Sequence, residues 1–185
     1  MRVAAAALCI AVNIVGGYLA LVLKLPIYLD SIGTIMAGAL MGPLYGMAAG
    51  LGSGLISGIL TDVYALYFMP VGIITGLMAG LLFRTSLFKK WKMPLGVLAL
   101  TVPGTVVSAA TSAFLFGGVT SSGSSLLVQL LKHLGCNLVV SAFVVQIVTD
   151  YADRFISAAL VMVVLSCMTA EMKLRLKGGR PNGTV

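Results

Sequence analysis

At 185 residues, with 59% hydrophobic and 9% charged residues and a mean hydropathy of +1.09, the chain excludes a water-soluble domain of any size. A crossing helix needs about 20 apolar residues for about 30 Å of hydrocarbon, so the composition implies an all-α, polytopic membrane protein of about six spans. The formal charge of +7 does not indicate nucleic acid, because the basic residues stand at the ends of apolar runs, where they orient a membrane protein and meet lipid.

Taken in order, the apolar runs predict helices near 3–23, 31–42, 43–60, 67–84, 94–116 and 151–171, in one domain over 1–172 with a basic cytoplasmic tail at 173–185. Met1-Arg2 opens like a signal peptide, but the run continues to Leu23 with no A-x-A site, which predicts a first helix. Asn13 falls mid-helix, where an unmatched amide costs about 1–3 kcal/mol, so it needs a partner, either another helix or a ligand. The loop KLPIYLDS follows, and its Pro26 denies a helix. The next run, about 12 residues or roughly 18 Å, is too short to cross alone, so the loop is expected to dip into the membrane as irregular backbone lining a cavity. Tyr28, Asp30 and Thr34 surround that dip as candidate ligand contacts, with helix capping as the alternative for Asp30.

Glycine then recurs at every fourth position, at Gly38, Gly42, Gly46, Gly50, Gly54 and Gly58, and again at Gly72, Gly76 and Gly80. Residues i and i+4 share a helix face, so each run makes a smooth surface where another backbone can approach. Pro43 divides the first series between two helices of a hairpin. TDVYALYFMP brings Asp62, Tyr64, Tyr67 and Phe68 to the end of the third and fourth helices, where rings can stack on a flat heterocycle or serve as interfacial aromatics.

Residues 124–149 are long enough for a seventh span, but charge argues for an extracellular connector that folds back. Six spans with both termini inside put Arg2, Arg84, Lys89, Lys90, Lys92, Lys173, Arg175, Lys177 and Arg180 in the cytoplasm and leave Lys24, Lys132 and Arg154 outside. In that connector Gln129, His133 and Asn137 share one face if it is helical, with Gln146 beyond, as ligand contacts or as a solvated stripe. The same topology gathers Asp30, Asp62, Asp150 and Asp153 at the outer side, leaves Glu171 inside, and puts no acidic residue mid-span. Cys9, Cys136 and Cys167 form no CxxC pair and are expected as buried structural thiols. The chain lacks HExxH, GxSxG and GxGD, and His133 has no evident metal partner, so neither catalysis, a metal nor a cofactor is expected. Asn182-Gly183-Thr184 matches a glycosylation triplet, which a cytoplasmic tail makes meaningless.

Two segments carry a family likeness. LPIYLDSIGTIMAGALMGPLYGMAAGLGSGLI, a short helix turning at Gly-Pro into a glycine-rich one, resembles the substrate-binding S components of energy-coupling factor (ECF) transporters. VTDYADRFISAAL is similar to that family's lead-in to its last helix, with Asp153-Arg154 where Asp-Lys is usual; arginine keeps the charge and changes the donor geometry. The resemblance spans Ala7 to about Leu165. It implies a bacterial inner-membrane subunit that captures a scarce micronutrient, docks on a transmembrane coupling subunit carrying two ATP-binding-cassette ATPases, and topples to release its ligand. The chain itself has no GxxxxGK[ST]. The family's docking surface implies a role for Ala7 and Ala11, in an AxxxA pattern, and the smooth faces of Gly38, Gly42, Gly46 and Gly50 suit the same partner. Metal-carrying members use an amino-terminal histidine, which Met1-Arg2-Val3-Ala4 does not offer, so an organic vitamin, precursor or nucleobase-like heterocycle is implied. The rival reading is a self-contained channel or secondary transporter, which generally uses inverted repeats and a mid-membrane ionisable site.

Overall fold

The computed structural model describes residues 1–88, 90–120 and 122–177; Lys89, Arg180 and the 182–184 triplet lie outside them. Every regular element among these is helical: α1 (Arg2–Val22), α2 (Ile32–Met41), α3 (Pro43–Leu60), α4 (Tyr64–Leu82), α5 (Met93–Ala110), α6 (Ser124–His133), α7 (Leu138–Cys167) and α8 (Ala170–Lys177). Two 3₁₀ turns precede α5, and a π-helical turn, Thr111–Leu115, extends it. By length and composition four of them can cross a membrane, α1, α3, α4 and α5 with its extension. A fifth candidate is α7 with α8, a pair bent by 115°, while α2 is a shorter apolar helix. The large side chains of α1, among them Leu8, Val15, Tyr18 and Leu19, are more than half or about half exposed, as befits a helix with lipid on most sides.

The loop after α1 is irregular, and its geometry has local causes. Lys24 takes a positive φ of 48° and ends α1, with Lys24 N–H donating to the Leu21 carbonyl at 3.1 Å and Leu25 N–H reaching Ala20 at 2.9 Å. Pro43 opens α3 at its first position, where a missing N–H costs nothing, and Gly42 before it has φ 104°.

Packing of the α3–α4 hairpin explains the glycine period. A Cβ at Gly76 would lie 2.2 Å from the Gly46 backbone, one at Gly50 2.3 Å from the Gly72 carbonyl oxygen, and one at Gly80 2.4 Å from Pro43. Gly38 faces Gly76 and Gly80, and Gly42 faces the Arg84 guanidinium. Gly38, Gly42, Gly46 and Gly50 are all buried, so the docking surface expected of them is occupied by α4 and Arg84 of the same chain. The period-four series serves internal backbone contact, because side-chain-free helices gain most by meeting one another.

The carboxy-terminal third differs from expectation. The connector does fold back, but its second arm is α7 itself, which begins at Leu138 rather than near 151. Gly135, at φ 89°, terminates α6, and Asn137 accepts the Val139 N–H at 2.9 Å to start α7. Asp150, Asp153 and Arg154 consequently lie mid-helix and buried, where the charge-based topology put no acidic residue. Cys9 is buried as expected, whereas Cys136 and Cys167 are exposed. At the far end, α8 turns back so that Leu176 joins Cys9, Ala37 and Leu40, and Arg2 Nε donates to the Leu176 carbonyl at 2.9 Å.

Gly76→Ala is expected to cost about 2 kcal/mol or more, because its new methyl meets backbone that cannot give way. Gly104→Ala meets only ordinary contacts at 3.4 Å and beyond, and is expected to be neutral or to gain up to about 1 kcal/mol of helix propensity. Unfolding of both variants in one detergent checks the contrast.

Candidate functional site

Three buried polar contacts hold the helices around a cavity. The first centres on Asn13 of α1. Its Oδ1 accepts from Gly33 N–H at 2.7 Å, with Thr34 N–H at 3.4 Å, and so satisfies free donors at the start of α2 from a neighbouring helix. Its Nδ2 donates to Thr34 Oγ1 at 2.7 Å and Ser53 Oγ at 3.3 Å, joining α1, α2 and α3. This approach requires Gly33, where a Cβ would stand 1.9 Å from the Cys9 carbonyl oxygen.

The second centres on Asp153 of α7, which has no exposure. Its Oδ1 accepts from Leu29 N–H at 2.7 Å, and its Oδ2 accepts from Ser31 Oγ at 2.9 Å and from Arg154 Nη1. Arg154 Nη1 also donates to Ser31 and stands 4.0 Å from Asp30 Oδ1. Ser31 has a single proton to divide between Asp153 and Asp30, the latter at 3.0 Å. Leu29 holds a φ of 52°, unfavourable for leucine, with its N–H fixed by Asp153 and its carbonyl against Gly16, where a Cβ would lie 2.2 Å away.

In the third, Asp150 Oδ2 accepts from Thr105 Oγ1 at 2.9 Å, tying α7 to α5. Close by, Tyr28 donates to Gln146 Oε1 at 3.4 Å and shares a 3.3 Å contact with Ser124 Oγ. Burial, and then the Asp150 charge, raise the Tyr28 phenol above its ordinary value, so it remains a donor.

Between these contacts lies a cavity, bounded by the 24–31 loop, α2, α3, α4, α5 and α7. Tyr28, Asp30, Ser31, Thr34, Asp150 and Arg154 supply much of its polar wall, and Phe68, Met69 and Val71 its apolar one. A second cavity shares Tyr28, Asp30, Ser57, Ala65 and Phe68 with it, and extends to Asp62, Tyr64 and Ser122. The two adjoin under the same loop, and the first is termed the chamber and the second the vestibule.

The structure thus brings Tyr28, Asp30, Thr34 and Phe68 to the chamber, with Gly50 in its wall, and Asp62 and Tyr64 to the vestibule. Asn13 and Gln146 are buried and hold these elements in place. Tyr67 lines neither cavity. Its ring packs edge-on to Phe116 at 5.1 Å, and Tyr64 and Phe68 meet the same ring at 4.7 and 6.2 Å. Phe116 thus packs against all three rings, while Tyr64 and Phe68 also line a cavity. Gln129, His133 and Asn137 also stand outside both cavities, since the break at Gly135 separates Asn137 from α6 and leaves the stripe without a common face. Ser53, Thr75 and Ser108 line the chamber and were not singled out from the sequence, whereas Asp150, gathered with the outer acidic residues, and Arg154, noted beside Asp153, line it without having been named as substrate contacts. The available signal was the spacing of Asp150 and Arg154, one helical turn apart in an apolar run.

A family model for the substrate-specific component of ECF transporters matches residues 1–165, and the chain belongs to that family. No curated protein and no solved structure matches the chain. Members of this family are non-catalytic substrate-binding subunits of a membrane transporter, and the chain is a multi-pass membrane protein of that kind.

Asp153→Ala is expected to cost about 3 kcal/mol or more, because Arg154 keeps its burial and loses its closest counter-charge. Asp153→Leu with Arg154→Met is expected to cost less than the single change, and the comparison is read from unfolding in detergent.

Proposed function

We propose that this substrate-specific component captures a small water-soluble organic micronutrient, such as a vitamin, a vitamin precursor or a nucleobase-like heterocycle, for import. The observation that supports this most directly is the loop-covered cavity, whose wall mixes hydroxyl, carboxylate and ring in the manner of a small-molecule site. Tyr28, Asp30, Thr34 and Phe68 contact the substrate in the chamber, Asp62 and Tyr64 meet it in the vestibule, and Asn13 and Gln146 position the walls. Asp150 and Arg154 join this set.

In the proposed arrangement the chain sits in a bacterial cytoplasmic membrane with six spans, α2 included, and both termini inside. The 24–31 loop then faces outward, where the substrate arrives. A transmembrane coupling subunit docks on α1, and two ATP-binding-cassette ATPases bound to that subunit supply the energy. Exposure of Ala4, Ala7 and Ala11 along one side of α1 favours this docking, since small side chains let a partner helix approach and leave. The alternative is a self-contained secondary transporter. Its best support is the mid-helix group of Asp150, Asp153 and Arg154, an ionisable site of the kind such transporters use.

Co-expression separates the two. The chain is expected to purify with a coupling subunit and paired ATPases, and to accumulate substrate in vesicles only when all are present with ATP. Ala7→Leu with Ala11→Leu is expected to reduce that co-purification by about tenfold, equivalent to about 1.4 kcal/mol of contact. Gradient-driven uptake by the purified chain alone overturns the reading.

A further inference from the structure

The chamber carries more negative than positive charge. Asp30 and Asp150 line it with Arg154 as the one basic lining residue, and Asp153 lies behind them. Three carboxylates against one guanidinium leave an excess of two negative charges when all are ionised. Arg154 is already counted in that balance: its Nη1 serves Asp153 and Ser31 and forms a longer ion pair, at 4.0 Å, with Asp30. Asp153 is itself saturated by Leu29, Ser31 and Arg154. The surplus therefore falls on Asp30, whose side chain is 55% exposed, and on Asp150, which has Thr105 as its hydroxyl donor.

A separate observation points into the same space. Thr75 of α4 is 1% exposed and lines the chamber, yet its Oγ1 has no hydrogen-bond partner among the described residues. A buried hydroxyl in a polar-walled cavity is complete only when something in the cavity meets it. Among the described residues no group of three His, Cys, Asp or Glu stands close enough to hold a metal ion. The chamber offers instead the Phe68 ring and the Met69 side chain, surfaces that suit an organic body and, for the ring, an adjacent positive charge.

We propose that the substrate of this site is a small organic cation, either a protonated amine or a positively charged nitrogen heterocycle, with Asp30 and Asp150 as its counter-charges and Thr75 bonding its polar edge. This rests on the substrate-capture reading above and narrows its chemical class. It also gives two carboxylates one role: they hold the cavity ready for a charge that the protein does not itself supply.

Matched probes test this on the purified full-length chain in detergent, by titration calorimetry and thermal shift. The probes are benzylamine against benzyl alcohol, benzamidine against benzamide and the ring-methylated 1-methylnicotinamide cation against nicotinamide, with benzoate as the anion. The cationic member of each pair is expected to bind at least about tenfold more tightly. Asp150→Asn and Asp30→Asn are each expected to remove about tenfold of cation affinity and so to narrow the cation preference within each pair. Thr75→Val is expected to weaken binding, and Thr75→Ser to restore it. If Asp150→Asn does not fold, Asp30→Asn, altering an exposed side chain in the loop, carries the same comparison. Equal or tighter binding of the neutral members or of benzoate overturns the proposal. So does a cation preference that persists in both aspartate variants, and so does failure of every cation to bind at millimolar concentration. A chain that prefers cations but never assembles with a coupling subunit keeps this inference and overturns the transport reading; one that assembles and prefers neutral compounds does the reverse.

Discussion

A carboxylate with no contact with solvent must be matched from within the protein, and at Asp153 the matching is done by three separate parts of the chain. The Leu29 amide, the Ser31 hydroxyl and the Arg154 guanidinium all meet it. Losing any of them leaves an ion in a low-dielectric interior, which costs several kcal/mol, so the three are obliged to stay together. That obligation fixes the 24–31 loop. A segment with a proline and a leucine at φ 52° has little regular hydrogen bonding of its own, and strain of that kind persists only where the surroundings over-determine it. Asp153 on one side and Gly16 on the other provide the determination, and the cavity has a roof as a result.

Two kinds of packing divide the rest of the molecule. Between α3 and α4 the contacts are backbone against backbone, and dispersion at close range replaces the hydrophobic driving force that lipid does not supply. Around α1, α2 and α7 the contacts are hydrogen bonds from single polar side chains, Asn13 and Asp153 foremost. The chamber lies where the two kinds meet. Gly50 and Gly72 contribute backbone to its wall on one side, and Asp30, Asp150 and Arg154 contribute charge on the other.

Much of this was legible in the sequence. Hydropathy and the glycine period gave the helical class, the short α2 and the turn at Pro43, because each depends on local spacing. Asn13 was recognised as needing a partner, and its partner is the start of α2. The start of α7 was missed because charge counting treats Asp150, Asp153 and Arg154 as marks of an outer boundary. When acid and base neutralise one another inside a helix bundle, that logic fails, and Gly135 with Asn137 was the better local guide to where one helix stops and the next begins. The aromatic cluster was legible in part. Tyr64, Tyr67 and Phe68 were placed together, and Tyr64 and Phe68 do line the cavities, but Phe116, far away in sequence, packs against all three rings and Tyr67 lines neither cavity. Thr75 gave no sequence signal, since a threonine in an apolar helix ordinarily bonds its own backbone.

The glycine seam has a mechanical consequence. Because the Gly46 and Gly76 backbones interlock with no side chain between them, α3 and α4 cannot slide by a fraction of a turn without driving carbonyl oxygen into carbon. They form a single stiff plank, and a plank cannot be a door. The seam between them is therefore no path into the chamber.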